Sequence, residues 1–439
     1  MPCSSENYFE PKKKLRSSLE LSPPRRTLTK EKDKEERERG KKPGSRELLA
    51  SMAVHPLVTR MVILQQPKRI FFGVGCVERS VDELSAAGRR RVFVVSSPTA
   101  ARHSQALFTK WRAVGIEVEV DDAVKCEPDI ALFESVLDRA RKFGPDAVVG
   151  LGGGSPLDTA KLVAALVDRR QDIREVFGIG NLRGRPLYLA CIPTTAGSGS
   201  EVSPNAVLID EDEKVKKGVI SPHLVPDAAF LDPALTVSVP AAVTASVGID
   251  ALVHCIEGYA NKAAHPAVDL YALEGVRRLG RSVARAVAQA DDLAARSDVM
   301  LGAFYGGLCL GPVNTAAVHA LSAPLGGGYR IAHGVANSLL MPQVFRFNLP
   351  AMPDRYAEIA VALGVERRES AAATAEAGVQ RLVELSRACG VPQRLRDVKI
   401  PEDVLPALAQ AAVKIQRLLK NNPREVTEAD AVAIYREAW

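Results

Sequence analysis

Two side chains that bind metals in many proteins lie four residues apart in an apolar stretch of this chain. Asp250 and His254 occupy the sequence G-I-D-A-L-V-H-C-I-E-G-Y, whose apolar pattern predicts a helix. On a helix, this spacing places both side chains on one face, one turn apart. His319 and His333 lie further on, in A-V-H-A-L and I-A-H-G-V-A-N. Together the four residues form a donor set for one divalent metal ion. The alternatives are a buried His254 hydrogen-bonded to Asp250, with His319 and His333 as one core and one surface histidine.

A glycine-rich turn predicts a phosphate site. The sequence A-V-V-G-L-G-G-G-S-P-L-D-T-A-K runs from Ala147 to Lys161 and joins a predicted buried strand to a predicted helix. Glycines let a ligand approach the backbone closely, and the start of a helix attracts anions. The pattern is not G-x-G-x-x-G, and a tight strand-to-helix turn is the alternative interpretation.

A second polar loop follows another predicted strand, in C-I-P-T-T-A-G-S-G-S-E from Cys191 to Glu201. Its hydroxyl side chains include Thr194 and Thr195, at the carboxyl end of the strand, where ligands of open α/β sheets bind. A solvated loop is the alternative, but two such loops in one sheet favour a nucleotide.

The surrounding pattern predicts a sheet-forming half followed by a helical half. Predicted strands at 91–95, 116–120, 147–151 and 187–192 alternate with predicted helices at 81–87, 105–114, 130–143 and 157–167, which is typical of a parallel sheet. After about residue 240, alanine- and leucine-rich amphipathic patterns dominate. We therefore predict a Rossmann-like α/β nucleotide-binding domain over 56–237 and an all-α metal-binding domain over 238–439, preceded by a disordered charged tail over 1–55.

Composition and charge exclude several classes of protein. The net charge of +6 belongs mostly to the first fifty residues, which carry 14 Lys+Arg and 9 Asp+Glu, so nothing in the rest indicates a nucleic-acid partner. No uninterrupted run of roughly 18 to 20 apolar residues predicts a membrane span. The seven cysteines have no paired spacing, so we expect a reducing, cytoplasmic location. Translation from Met52 or Met61 is an alternative start.

Four motifs in this order resemble those of the iron-containing (group III) alcohol dehydrogenase family. They are G-G-G-S-x-x-D-x-A-K at 152–161, P-T-T-A-G-S-G-S-E at 193–201, G-I-D-A-L-x-H-C-I-E at 248–257 and H-G-V-A-N at 333–337. The resemblance extends from Ile70 to the end of the chain. It implies a dehydroquinate synthase-like architecture with a metal in the cleft between an α/β domain and a helical domain.

The resemblance also implies a reaction and the residues that support it. A metal-dependent NAD(P) alcohol dehydrogenase or aldehyde reductase would use Fe²⁺, or alternatively Zn²⁺, to polarise a small alcohol or aldehyde during hydride transfer. The implied metal ligands and catalytic residues are Asp250, His254, His319 and His333. The predicted cofactor-binding residues are Gly152, Gly153, Gly154, Ser155, Asp158, Thr194, Thr195 and Ser97. We expect a homodimer without membrane or nucleic-acid partners.

Two positions depart from the family pattern. Ala323 stands where many members have a second histidine one turn after His319, so the proton would travel through water, the cofactor ribose or a residue such as Tyr329. Ser96 and Ser97 follow the strand after which many members have an acidic residue that would repel the 2′-phosphate of NADP. The sequence therefore leaves both NAD and NADP open.

Three other interpretations of the sequence remain open. A maleylacetate reductase-like enzyme of the same superfamily need not use a metal. A dehydroquinate synthase-like cyclase has a similar fold and cofactor, but its metal site resembles a glutamate with two histidines, which Asp250 and three histidines do not match. The third interpretation is a non-enzymatic protein whose metal and cofactor site is degenerate.

Overall fold

A computed structural model of the chain describes residues 60–213 and 215–439. The predicted charged tail over 1–55 lies outside the described residues. The described residues all lie in one compact unit of the chain.

The strands of the described residues form two sheets. Their bounds are β1 Arg69–Phe72, β2 Arg91–Ser96, β3 Glu117–Asp121, β4 Ala147–Gly152, β5 Gly178–Ile179, β6 Tyr188–Pro193, β7 Asn205–Asp210, β8 Val215–Ile220 and β9 Ala228–Leu231. The larger sheet has the order β1-β9-β6-β4-β2-β3, and all its strands are parallel. The smaller sheet has the order β5-β8-β7, with β7 and β8 antiparallel.

The order of the larger sheet creates one switch point for ligand binding. The chain runs from β2 to β3 on one side, crosses back to β4, and continues from β4 to β6 on the other side, so the strand order reverses between β2 and β4. Ligands of open α/β sheets bind outside the carboxyl ends of strands at such a point. The ends of β2 and β4, at Ser96 and Gly152, therefore bound the expected cofactor crevice.

Helices cover both faces of this sheet. Their bounds are α1 Arg79–Ala86, α2 Pro98–His103, α3 Gln105–Ala113, α4 Ile130–Phe143, α5 Gly154–Leu166 and α6 Ile173–Val176. Two separate apolar clusters result, one around Phe93 and Phe133 and the other around Phe108 and Trp111. Burial on both faces explains why β2 and β4 are continuous apolar runs, since neither face of these strands meets water.

From Ala241 onward the described chain is helical. The bounds are α7 Ala241–Tyr259, α8 Pro266–Ala288, α9 Leu293–Leu310, α10 Ala317–Tyr329, α11 His333–Asn348, α12 Pro353–Ala362, α13 Ala371–Ala388, α14 Leu405–Ala412, α15 Gln416–Leu419 and α16 Glu428–Ala438. α7 packs against α8, α9 and α11 and lies at the centre of the largest apolar cluster. By length and composition α7 would suffice to cross a membrane, and 78% of its apolar window is buried inside the fold.

The two halves come close, backbone to backbone, along the Pro193–Glu201 loop, where a Cβ on Gly197 would lie 2.7 Å from the carbonyl oxygen of Val247 in α7. A Cβ on Gly199, in the Pro193–Glu201 loop, would lie 2.3 Å from the Cα of Gly307 in α9. Gly199 also has a φ of +64°, a conformation that glycine adopts without strain. No larger side chain fits between the loop and α9 at this point.

The predicted fold class, a parallel α/β half followed by a helical half, is confirmed. The bounds of the two predicted domains stay a prediction; the last strand of the sheet ends at Leu231 and the first helix of the second half begins at Ala241. The β7–β8 hairpin was not predicted, because its sequence, N-A-V-L-I-D-E-D-E-K-V-K-K-G-V-I, is interrupted by charged residues.

Candidate metal and cofactor site

Three helices bring the four predicted metal ligands to one point. α7 carries Asp250 and His254, His319 lies in the first turn of α10, and His333 begins α11. The Nε2 atoms of His254, His319 and His333 lie 3.8, 3.5 and 3.6 Å from Asp250 Oδ1. Ligands about 2.1 Å from a tetrahedral ion are about 3.4 Å apart, so this spacing suits a shared divalent ion.

The cluster is buried except on one side. Asp250, His254 and His319 are each less than a tenth exposed, whereas the side chain of His333 is 38% exposed. Donor atoms of Asp250, His254 and His319 all lie within 4.8 Å of one another. An opening on the His333 side alone would let a small substrate reach the cluster while the other ligands stay away from water.

Asn337 is a further member of the cluster, one that the sequence motifs did not predict. Its Nδ2 lies 2.6 Å from Asp250 Oδ1, 3.3 Å from His319 Nε2 and 3.4 Å from His333 Nε2. Its buried Oδ1 has no hydrogen-bond partner among the described residues. The amide nitrogen of Asn337 thus lies among the ligand atoms and donates to Asp250. The H-x-x-x-N spacing of His333 and Asn337, one helical turn, was an available signal.

Glu257 orients His319 by contacting Nδ1, the ring nitrogen that does not face Asp250. One of its oxygens lies 2.6 Å from His319 Nδ1 and also accepts from the N–H of Ala316, and the other accepts from the N–H of Val318. Because a carboxylate accepts, Nδ1 must carry a proton, which leaves Nε2 as the ring atom that faces Asp250 and is available to an ion. The same carboxylate caps the start of α10. Glu257 follows His254 by three residues, so its place on the same helix face was readable from the sequence.

The charges in the cluster move the pKa values of its imidazoles in opposite directions. Burial lowers the pKa of His254 to about 4. For His319, burial also acts to lower the pKa, but the Glu257 and Asp250 carboxylates outweigh it and raise the pKa to about 9. Burial acts to raise the pKa of Asp250, yet the surrounding imidazoles hold it well below its usual range. The cluster is therefore built to keep a positive charge beside an ionised Asp250.

In the glycine turn between β4 and α5, no side chains cover the backbone, so a ligand could contact it directly. Gly152 has a φ of +148°, and a Cβ there would lie 2.8 Å from Pro156 Cγ. A Cβ on Gly154 would lie 3.0 Å from Ser198. No side chain caps the start of α5, whose first residues, including Ser155, follow the switch point directly. An anionic group is the ligand that such a turn accommodates.

The second loop lies beside this turn. Thr194 donates its N–H to the carbonyl oxygen of Gly152 at 2.8 Å, as β6 and β4 end side by side. The Oγ1 of Thr195 is 3.4 Å from the position of a Cβ on Gly153. Gly152, Gly153, Thr194 and Thr195 are therefore brought together at one edge of the sheet.

Two predicted cofactor residues are already engaged by the protein. The Asp158 carboxylate accepts from the Ser200 hydroxyl at 2.5 Å and from the N–H of Val207 at 3.0 Å, so both oxygens face the protein. Ser97 caps α2, accepting from the N–H of Ala100 at 3.4 Å. Contact of either residue with a cofactor stays a prediction.

Comparison with protein families gives matches over nearly the whole described chain. A family model described as iron-containing alcohol dehydrogenase matches residues 67–233. A second, described as the C-terminal part of the Fe-containing alcohol dehydrogenase family, matches residues 244–439. The two matches correspond to the sheet-forming half and the helical half.

Individual relatives extend this similarity. The chain is 32% identical over 374 residues to lactaldehyde reductase of Escherichia coli, covering 84% of this chain and 97% of that protein. It is 36% identical over 375 residues to long-chain-alcohol dehydrogenase 1 of Geobacillus thermodenitrificans, covering 84% and 94%. The crystal structure of sulfoacetaldehyde reductase from Bifidobacterium kashiwanohense in complex with NAD⁺ superimposes with a TM-score of 0.78 at 28% identity, covering 86% and 99%.

Proposed function

The chain belongs to the iron-containing alcohol dehydrogenase family and is an oxidoreductase acting on CH–OH groups, and from that premise we propose which residues carry the reaction. Asp250, His254, His319 and His333 hold one divalent ion, with Fe²⁺ as the first choice and Zn²⁺ as the alternative. The glycine turn and the Thr194–Thr195 loop hold NAD or NADP.

The observation that supports the metal site is the convergence of three Nε2 atoms on Asp250 Oδ1 at 3.5 to 3.8 Å. Three imidazoles gathered around one carboxylate form a donor set that a divalent ion would satisfy. One oxygen and three nitrogens are of intermediate softness, which suits Fe²⁺ or Zn²⁺.

When bound, the divalent ion would draw electron density from the oxygen of an alcohol or carbonyl, while the nicotinamide would exchange a hydride with the adjoining carbon. The protein residues prepare the site for this exchange. Glu257 fixes the tautomer of His319, and Asp250 supplies the negative charge that balances the ion. The burial of His254 and His319 keeps water away from the inner side of the cluster.

The substrate is a small alcohol or aldehyde that enters on the exposed side of His333. Two relatives of similar identity are named for lactaldehyde and for long-chain alcohols, so the name of one relative does not decide the chain length. Ser97 carries no charge that would repel a 2′-phosphate, which supports use of NADP as well as NAD. The bare glycine turn supports a pyrophosphate at the start of α5.

We include a homodimer and a cytoplasmic location in this proposal. The six cysteines of the described residues are all unpaired, which agrees with a reducing compartment. Sedimentation equilibrium of the purified protein tests the dimer.

The test of the proposed function starts with the purified wild-type protein. We expect about one Fe or Zn per chain and oxidation of NADH or NADPH in the presence of short aldehydes. His254→Ala removes one ligand and should abolish both metal retention and activity, whereas His103→Ala, which changes a histidine outside the cluster, should leave both intact. Full metal occupancy in His254→Ala would contradict the ligand assignment.

A further inference from the structure

The helix that carries His319 is weak by its own sequence. α10 reads A-V-H-A-L-S-A-P-L-G-G-G-Y, with Pro324 inside the helix and three glycines after it. Proline has no N–H to donate to the carbonyl oxygen of Ala320, and glycine is the least favourable helix residue after proline. The position of α10, and of His319 in its first turn, therefore depends on contacts with other parts of the protein.

A tyrosine of α16 supports α10 two residues after His319. The hydroxyl of Tyr435 donates to the carbonyl oxygen of Leu321 at 2.5 Å, and both residues are completely buried. Burial raises the pKa of Tyr435, so the hydroxyl keeps its proton and acts as a donor. The bond supplies an external donor beside the turn of α10 that Pro324 weakens.

An asparagine close to the same helix supports the chain just before α10. The Nδ2 of Asn421 donates to the carbonyl oxygen of Thr315 at 2.9 Å, in a buried hydrogen bond. The next residue, Ala316, donates its N–H to Glu257, the carboxylate that orients His319. His319 therefore lies between two supports, four residues after the first and two residues before the second.

The same segment is bonded to the helices that carry the other proposed ligands. The carbonyl oxygen of Asn421 accepts from the N–H of Lys262, three residues after the end of α7, at 2.9 Å. Asn422 and Asn348, the last residue of α11, exchange amide hydrogen bonds at 2.8 and 2.7 Å, and both are buried. Asn421 and Asn422 thus contact residues at or near the ends of all three helices that hold the proposed metal ligands.

Local hydrogen bonds fix the shape of this segment between Asn421 and Tyr435. The amide of Asn422 also donates to the carbonyl oxygen of Arg424 at 2.6 Å. α16 begins with a capping box, in which the N–H of Asp430 donates to the Thr427 hydroxyl and the N–H of Thr427 donates to the Asp430 carboxylate. The sequence N-P-R-E-V-T-E-A-D at 422–430 supplies these side chains, and the proposed function assigns it no role.

We propose that Asn421 and Tyr435 are positioning residues that set the place of His319 in the metal site. The inference rests on the proposed function and deepens it, because it names residues that act on a ligand without touching the ion. Both residues bond to main-chain carbonyl groups on either side of His319, so their loss moves its backbone relative to Asp250 and His254. A residue that served only general packing would change the stability of the fold and leave the affinity of the folded protein for the ion unchanged.

The chain offers a matched control for the experiment. Tyr435→Phe removes one hydroxyl group and keeps the ring, and Asn421→Ala removes the amide. Tyr188→Phe is the control, because the Tyr188 hydroxyl donates to Glu83 at 2.9 Å in the sheet-forming half. All variants are made in the full-length chain. The readouts are the dissociation constant for Zn²⁺ by chelator-buffered titration, the visible absorption spectrum of the Co²⁺-loaded protein, NADH binding, and urea unfolding of the metal-free protein.

The proposal predicts a specific pattern. Tyr435→Phe and Asn421→Ala should each raise the dissociation constant for Zn²⁺ about threefold to tenfold, the equivalent of one net hydrogen bond. They should also change the Co²⁺ spectrum, which depends on coordination geometry, and leave NADH affinity unchanged. Tyr188→Phe should affect unfolding only. Combined with Glu257→Gln, Tyr435→Phe should show a non-additive effect on metal affinity, because both substitutions act through His319.

Other results would overturn the proposal. Wild-type metal affinity and an unchanged Co²⁺ spectrum in Tyr435→Phe would show that the hydroxyl serves only the stability of the fold, and this variant decides if Asn421→Ala does not fold. An equal loss of metal affinity in Tyr188→Phe would show that the effect is general. Additive effects with Glu257→Gln would show that Tyr435 does not act through His319. A wild-type protein that binds neither Zn²⁺ nor Co²⁺ would instead refute the proposed metal site, so the two failures are distinguishable.

Discussion

Replacement of Glu257 by glutamine tests whether the carboxylate behind His319 sets metal affinity. Its oxygens accept three hydrogen bonds, from His319 Nδ1 at 2.6 Å, Ala316 N–H at 2.9 Å and Val318 N–H at 2.6 Å. Glutamine keeps the size of the side chain but offers one carbonyl oxygen and one amide NH₂ group. At least one of the three donors then faces another donor.

The structure gives the size of the expected effect. A buried polar group that loses its partner costs about 1–3 kcal/mol, and loss of an outer partner of a metal-binding histidine weakens metal binding about 10–100-fold. The two figures agree, because a tenfold change corresponds to about 1.4 kcal/mol. We therefore expect Glu257→Gln to raise the dissociation constant for Fe²⁺ or Zn²⁺ about 10–100-fold. Affinity of the metal-free protein for NADH should not change.

The assay is a chelator-buffered metal titration at constant pH, with NADH binding followed in parallel. Glu134→Gln serves as the control, since Glu134 is a 46% exposed carboxylate in α4 that pairs with Arg174. Equal metal affinity in the wild type and Glu257→Gln would refute the reasoning, because His319 would then be oriented without its carboxylate partner. Loss of NADH binding as well would indicate general misfolding.

Three further predictions follow from particular positions. A Cβ on Gly334 would lie 2.0 Å from the carbonyl oxygen of Ser246 in α7, so Gly334→Ala should push α11 away, displace His333, lower stability by about 1–3 kcal/mol and weaken metal binding. Gly328→Ala, where a Cβ meets nothing within 4 Å, is the matched control for thermal unfolding and metal titration. Ser97→Asp should reduce kcat/KM with NADP at least about tenfold relative to NAD, and equal use of both cofactors would assign discrimination to another residue. Burial raises the pKa of Glu201 from 4.5 to about 7; since the folded chain then binds the extra proton, stability should fall by about 3 kcal/mol as pH rises from 4.5 through 7. Urea unfolding of Glu201→Gln at pH 5 and pH 8 should show this loss removed.

The parts of the fold that local sequence determines could be predicted closely. The helix predicted over 130–143 occurs at Ile130–Phe143, and the strand predicted over 147–151 occurs at Ala147–Gly152. Both segments are long or uniformly buried, so their periodicity is clear. β9, at Ala228–Leu231, was not predicted because four residues are too few to show a pattern, and its place between β1 and β6 depends on pairing with distant segments.

In the candidate site, too, contacts between side chains from distant segments could not be predicted from the sequence. Spacing within α7 relates Asp250 to His254 because both lie on one helix. The use of both Asp158 oxygens by Ser200 and Val207 depends on residues more than forty positions away, which no local pattern reports. The contacts of Asn337 with Asp250 and His319 likewise require the packing of three helices.

The contact of Gly199 with Gly307 has a mechanical consequence. Because two backbones that touch without intervening side chains cannot be compressed, we expect any opening of the cleft to turn about this contact and the neighbouring one of Gly197 with Val247, which together form a pivot. The pivot adjoins the metal end of the cleft, because a Cβ on Gly306 would lie 3.1 Å from the Cβ of His254. Points near a pivot travel the shortest arcs. We therefore expect the end of the cleft at Ser97 to move farther than the proposed metal ligands whenever the cleft opens.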